Sequence, residues 1–383
     1  MKGQLLIRNA RILQGEALVA GDLMIENGRI ASIHLPGEGP QVPNTLDAKG
    51  SMLLPGFIDV HTHGAVGVDA NAASKEDMIR LSAFNASQGA TAYLTSVLTD
   101  TPSQTERALK AVAAARPEAK NLLGVHLEGP FLSVAYKGAM PESLLRPADP
   151  DLLRHYCDLV PGLVRYVTVA PEVPGVAEMI ADAPEGLVFA IGHSGASYEQ
   201  TMEVIKSGAM ACTHTFNAMK LFHQHEPGIM GATLESDIYC EAICDGRHLH
   251  PGSLRMLIKC KGWDRVVAVS DSIMAAGLPD GQYKLGVNDV TVLEGDAKLT
   301  GTNVRAGSTL TPLQGFKKAL EFTGASIGQV SRLFCENPAR LMGLESKGRI
   351  APGMDADLLL LTEGLDLKAT IAGGHIIYQE GVL

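Results

Sequence analysis

Pro55-Gly56-Phe57-Ile58-Asp59-Val60-His61-Thr62-His63-Gly64 is an apolar run that ends in two histidines one residue apart. In a strand, residues i and i+2 face the same way, so His61 and His63 aim two imidazoles at one point just past a buried strand. Imidazole suits zinc and similar divalent metals. This run is the first of a series, and the series decides the fold.

Downstream, the apolar runs ATAYLTSV, LLGVHLEG, VRYVTVAP, LVFAIGHS, AMACTHTF, IYCEAICDG and RVVAVSDS follow LLPGFIDV in turn. Helix-like stretches lie between several of them. SKEDMIRLSAFNASQG opens on Ser74 with Asp77 three residues on, an acidic form of the capping pattern. Eight apolar strands alternating with helices predict an α/β protein, and the count favours a closed (β/α)8 TIM-type barrel. The stretch DGQYKLGVNDVTVLEGDAKLTG breaks the rhythm and reads as a hairpin inserted near 280–303. Upstream, QLLIRNARIL and DLMIENGRIASI are short strands, with Asn27-Gly28 as a hairpin turn. The same texture returns in GRIAPGMDADLLLLTE and ATIAGGHIIYQEG. Both ends are therefore expected to build one small β-sandwich domain, 1–52 with 347–383, around a catalytic barrel over 53–346.

The 383 residues suit a barrel of roughly 250 residues plus an appendage. Apolar residues make up 46 %, and the net charge of −10 argues against a nucleic-acid partner. The six scattered cysteines read as free thiols in a reducing compartment. The first residues lack a signal-peptide core, and no run of 18 apolar residues exists. The expectation is a soluble cytoplasmic protein with no membrane partner.

Nearly every strand ends in an ionisable residue: His61 and His63, then Glu128, His193, His214, Asp245 with His248, and Asp271. Each has an ordinary alternative. A single His after a strand can be a hydrogen-bonded structural residue, Asp271 can cap the next segment, and His126 can replace Glu128 as a ligand. Together they have no common structural explanation, whereas a metal site at the barrel mouth accounts for all of them. A bound divalent metal makes hydroxide available near neutral pH and polarises a carbonyl. Asp271 suits the proton carrier that an amide leaving group requires.

These residues and their surroundings resemble the amidohydrolase superfamily, and more finely its N-acetylglucosamine-6-phosphate deacetylases. The resemblance spans essentially the whole chain through GFIDVHTHG, GVHLEGPFLSVAYKGA, IGHSGAS, THTFNAM, HEPGIMGA, ICDGRHLHP, VSDSIMAAGLPDG, RAGSTLT and NPARLMGL. It implies that Glu128, His193 and His214 bind a catalytic divalent metal, Zn2+ first, with Fe2+, Mn2+ or Co2+ as alternatives. It implies that Asp271 is general base and acid. His61 and His63 would add a second metal bridged by Glu128, where many superfamily members use a carboxylated lysine. Asn217 and Ala218 resemble residues that hold the sugar, His248 one at the phosphate end, and Ala306-Gly307 a loop lining the pocket. The resemblance also implies a homodimer.

Two positions depart from the family pattern. The usual KGAH is Lys137-Gly138-Ala139-Met140, which puts Met140 beside Ala139 on the substrate-facing segment. The usual Arg before EPG, which in the family grips the 6-phosphate, often by reaching across a dimer interface, is His225. His lacks the permanent charge and bidentate fork of Arg. The expectation is intact deacetylase chemistry on an N-acetyl amino sugar, with a weakened grip on the phosphate. The alternatives are an unphosphorylated or differently configured N-acetyl sugar, another small amide, or a non-catalytic sugar-binding barrel.

Overall fold

The computed structural model describes residues 3–381. Eight parallel strands form one sheet: β1 (Phe57–Thr62), β2 (Ala90–Leu98), β3 (Leu122–Glu128), β4 (Val164–Val169), β5 (Val188–Ile191), β6 (Ala211–Cys212), β7 (Tyr239–Ile243) and β8 (Val266–Val269). Each pairs with the next, as right-handed β–α–β connections dictate. Past its last ladder pair, β8 turns back onto β1. Asp271 N–H donates to the His61 carbonyl at 2.8 Å, and His63 N–H to that of Ser272 at 2.7 Å. The ring is thus nearly closed, as the alternation of apolar runs predicts.

The strands read as unbroken apolar runs because both faces are buried. In space they still alternate. On β2, Ala92 and Leu94 enter the cluster inside the barrel, while Tyr93 and Val97 join the larger cluster under the helices. On β3, Val125 and Leu127 face the helices, so His126 and Glu128, out of step by one, face inward. Helix starts are locally encoded. Ser74 and Asp77 form the expected capping box of Lys75–Ser87, and Ser197 with Gln200 does the same for Tyr198–Lys206. Each such cap is worth about 1 kcal/mol.

The two ends of the chain share an eight-stranded mixed sheet. Its order runs from His375–Gln379 through Leu367–Ala372, Leu358–Leu361, Met52–Pro55, Gln4–Gln14 and Ala17–Glu26 to Arg29–His34, with Thr45–Asp47 beside Gln4–Gln14. Asn27 and Gly28, at φ 51° and 80°, make the tight turn between two of these strands. This is the small β domain expected from both termini, and in it Ile7, Leu23 and Ile25 share a buried cluster with Leu358 and Ile371. Met52–Pro55 belongs to this sheet, so the crossing into the barrel falls at Gly56 rather than at 53. Of the expected terminal segments, residues 1–2 and 382–383 lie outside the described residues.

The insertion near 280–303 has one strand more than a hairpin: Gly281–Leu285, Asn288–Leu293 and Asp296–Leu299 form an antiparallel meander. The chain returns along it, with Leu299 N–H on the Val304 carbonyl and Ala306 N–H on that of Ala297, and re-enters the barrel mouth at Gly307. All six cysteines are free, as expected. Among the described residues, no helix is long and apolar enough to cross a membrane.

Candidate active site

The carboxylate of Glu128, at the last residue of β3, is the centre of the barrel mouth. Its Oε1 lies 3.2 Å from His193 Nε2 and 3.1 Å from His214 Nε2, and those two nitrogens are 3.0 Å apart. Its Oε2 lies 3.2 Å from His63 Nε2. His61 Nε2 is 3.2 Å from His63 Nε2, and Asp271 Oδ1 sits 3.4 Å and 3.3 Å from the two nitrogens. Five sequence candidates for metal binding, and the candidate proton carrier, thus converge on one buried spot.

Backbone geometry explains how loops after short strands aim inward. His193, His214 and Asp271 stand at φ 47°, 28° and 48°, in the left-handed region. Such conformations cost roughly 1–3 kcal/mol each in non-glycine residues and persist where surrounding bonds over-determine them. Here Ser308 N–H holds the Asp271 carbonyl at 2.7 Å. Gly307 must be glycine: a Cβ there would lie 2.9 Å from that carbonyl oxygen and 2.5 Å from Ile273. Gly138, at φ 56°, packs over the His193 ring in the same way.

Outer contacts set the imidazole tautomers. His193 Nδ1 is 3.0 Å from the Tyr136 carbonyl, which only accepts, so Nδ1 carries the hydrogen. His61 Nδ1 is 2.9 Å from Glu241, whose carboxylate also accepts from the Tyr166 hydroxyl and the His214 N–H. Both rings, when neutral, present a bare Nε2 to the centre. Glu241 escaped the sequence reading. Its signal was a lone carboxylate inside the buried run IYCEAI. His126 proves not to be a ligand: Ser96 and Thr168 occupy both ring nitrogens at 2.8 Å, and burial and then His61 hold its pKa well below the ordinary value.

Burial would lift the pKa of Glu128, but hydrogen bonds from His193, His214 and His63 hold it well below the usual range. Asp271 is also depressed, because His61 and His63 outweigh its burial. Burial pulls the two histidines down, yet Asp271, Glu241 and Glu128 raise His61 to about 9, and Asp271 and Glu128 raise His63 to about 10. This is a donor set that wants a cation. Nε2 atoms crowd two carboxylates, and the outer Nδ1 atoms of His63 and His214 are buried without partners. The groups His61–His63–Glu128 and Glu128–His193–His214 each place three donor atoms within 4.8 Å of one another. Nitrogen and oxygen donors so arranged fit one divalent ion per group with Glu128 shared.

Above the carboxylates opens a cavity of about 270 Å³. Of the sequence candidates for substrate contact, Ala139, Met140, Asn217, Ala218, His248 and Gly307 line it. Ala306 is buried behind the wall, and His225 lies exposed on an outer loop, so neither lines the cavity of its own chain. Met140 forms an apolar wall with Leu98 and Leu285. Asn303, Val304 and Arg305 also line it and were missed as individual residues, although RAGSTLT had marked the segment from Arg305 on.

Residues 52–377 match the amidohydrolase family. The chain is 33 % identical to the N-acetylglucosamine-6-phosphate deacetylase of Bacillus subtilis, over 99 % of this chain and 98 % of that protein. It is 35 % identical to the human protein of the same name, over 97 % and 95 %. A variant of the Mycobacterium smegmatis deacetylase, solved in complex with N-acetyl-D-glucosamine-6-phosphate, superposes with a TM-score of 0.92 at 34 % identity, covering 98 % of this chain and 100 % of that one. The Thermotoga maritima deacetylase gives 0.88 at 33 % identity over 98 % and 100 %.

Proposed function

The chain belongs to the N-acetylglucosamine-6-phosphate deacetylases of the amidohydrolase family, and from that premise we propose that it hydrolyses the acetamide of N-acetylglucosamine 6-phosphate. Water adds to the acetyl carbon, the C–N bond breaks, and acetate and the amino sugar phosphate leave. The observation that carries this reading is one shared carboxylate, Glu128, between two histidine sets, with Asp271 beside it, under a cavity sized for a single sugar. The test is acetate release from N-acetyl sugars with and without a 6-phosphate. No acetate from any of them would sink it.

Glu128, His193 and His214 would hold the principal metal, with Zn2+ the first choice on donor chemistry. When bound, it would supply Lewis acidity and a water of lowered pKa. Asp271, kept ionised by its neighbours, accepts the proton of the attacking water at Oδ1 and returns it to the amide nitrogen, which leaves only as an amine. Asn217 donates its Nδ2 hydrogens to the carbonyls of His214 and Thr215, which leaves its Oδ1 for a sugar hydroxyl. The apolar wall of Leu98, Met140 and Leu285 excludes water from one side of the sugar.

His61 and His63 would hold a second, weaker metal. In excess metal the parent protein is expected to bind two equivalents, and the His61→Asn, His63→Asn double variant one. The raised histidine pKa values add a proton signature. Without metal both rings are charged at pH 7, and that contribution to stability is full below about 6.5, the unfolded value. It is lost as pH rises through about 9 to 10. Filling this site at pH 7 should therefore release protons, read by calorimetry in buffers of different ionisation enthalpy. One equivalent in the parent, or no proton release, would rule the second site out.

A further inference from the structure

The proposed substrate carries a phosphate, and the cavity needs a cation to receive it. His225, the sequence candidate nearest to that role, lies outside the cavity of its own chain. Lys137 does not line the cavity either, and its Nζ donates to the Met140 carbonyl. Among the described residues that line the cavity, Arg305 is the one Lys or Arg.

The inserted meander puts Arg305 there. The bonds that join Ala306 to Ala297 and Leu299 to Val304 make residues 304–306 a return strand along Asp296–Leu299. Arg305 Nε and Nη2 lie 2.9 Å and 3.3 Å from the two Asp296 oxygens, which anchors one edge of the guanidinium. A guanidinium has five N–H donors, so the edge that carries Nη1 remains free for a second planar, bidentate partner. Arg305 is three residues before Ser308, whose N–H holds the Asp271 carbonyl. At 3.3–3.6 Å per extended residue, its backbone lies within roughly 10 Å of the Asp271 loop, and both residues line the same cavity. His248 lines the same cavity, and its Nδ1 is taken by Asp245 at 2.7 Å, which leaves Nε2 for a ligand.

We propose that Arg305 is the phosphate-gripping, specificity-determining residue of this chain, acting within its own subunit from an anchor on Asp296. The proposal rests on the deacetylase reading above. It would supply, from another position, the fork that is lost where His225 stands in place of the family's Arg. An Arg–phosphate fork supplies charge-assisted bonds at a side chain that is 39 % exposed.

The test uses the metal-loaded enzyme with N-acetylglucosamine and its 6-phosphate. Arg305→Leu should lower kcat/KM for the phosphorylated sugar by roughly 10- to 100-fold, through KM, and lower it for the plain sugar by much less, so that the preference between the two sugars falls. Arg305→Lys, which keeps charge but not the fork, should fall between. Inorganic phosphate, followed by thermal shift, should protect the parent and not Arg305→Leu. An unchanged phosphate preference in Arg305→Leu overturns the proposal. So does a preference that collapses in His225→Ala while Arg305→Leu retains it. If the parent releases acetate from neither sugar, the deacetylase reading fails, and the inorganic-phosphate measurement still decides Arg305.

Discussion

Asp271→Asn is expected to lower kcat by roughly 100- to 10,000-fold, the usual scale for a proton-transfer group, with little change in bound metal. The substitution keeps the shape of the side chain and removes its ability to take a proton. Asp271 is suited to this role because burial raises its pKa, and His61 and His63 beside it outweigh that and hold it below the usual carboxylate value. Its Oδ1 lies 3.3–3.4 Å from His61 and His63 at the floor of the cavity. Its left-handed backbone is pinned by Ser308, so Asn should adopt the same place. Metal analysis and steady-state kinetics on the same preparation decide the matter. A variant that keeps kcat and loses only KM would make Asp271 a substrate contact and defeat the mechanism.

Glu128→Gln is expected to strip most of the bound metal and most of the activity together. Both carboxylate oxygens are in use, Oε1 against His193 and His214 and Oε2 against His63. The amide offers one neutral acceptor in place of two anionic ones, and its NH2 turns a donor hydrogen towards the site. Changes that merely touch a metal ligand from outside cost about 10- to 100-fold in metal affinity, so loss of the shared ligand should exceed that. Full metal occupancy with near-normal turnover would show that Glu128 is not the centre of the site.

The contrast between Glu128 and His126 shows how far the sequence could be read. Both lie on the inward face of β3, two residues apart, and local pattern alone left either one open as a ligand. Depth decides between them. His126 lies one step further down the strand, where the hydroxyls of Ser96 and Thr168 occupy its two nitrogens, while Glu128 reaches the mouth. Depth depends on the stagger of neighbouring strands, which no window of sequence contains. Glu241 was overlooked for a related reason. A carboxylate amid IYCEAI has meaning only once Tyr166, His61 and the His214 N–H are known to meet it.

The sequence by itself determined the eight-strand barrel, the capped helices, the two-ended β sheet and the convergence of His61, His63, Glu128, His193, His214 and Asp271. These follow from periodicity, capping and strand-end position, which are carried by neighbouring residues and survive without knowledge of distant ones. Only the tertiary structure decided which groups orient the imidazoles, that the insertion is a three-stranded meander, and that Arg305 rather than His225 lines the cavity of its own chain. Those outcomes turn on how loops from separate strands pack over one mouth. A few ångströms there separate a substrate contact from an exposed side chain, and the chain specifies them only after the barrel has closed.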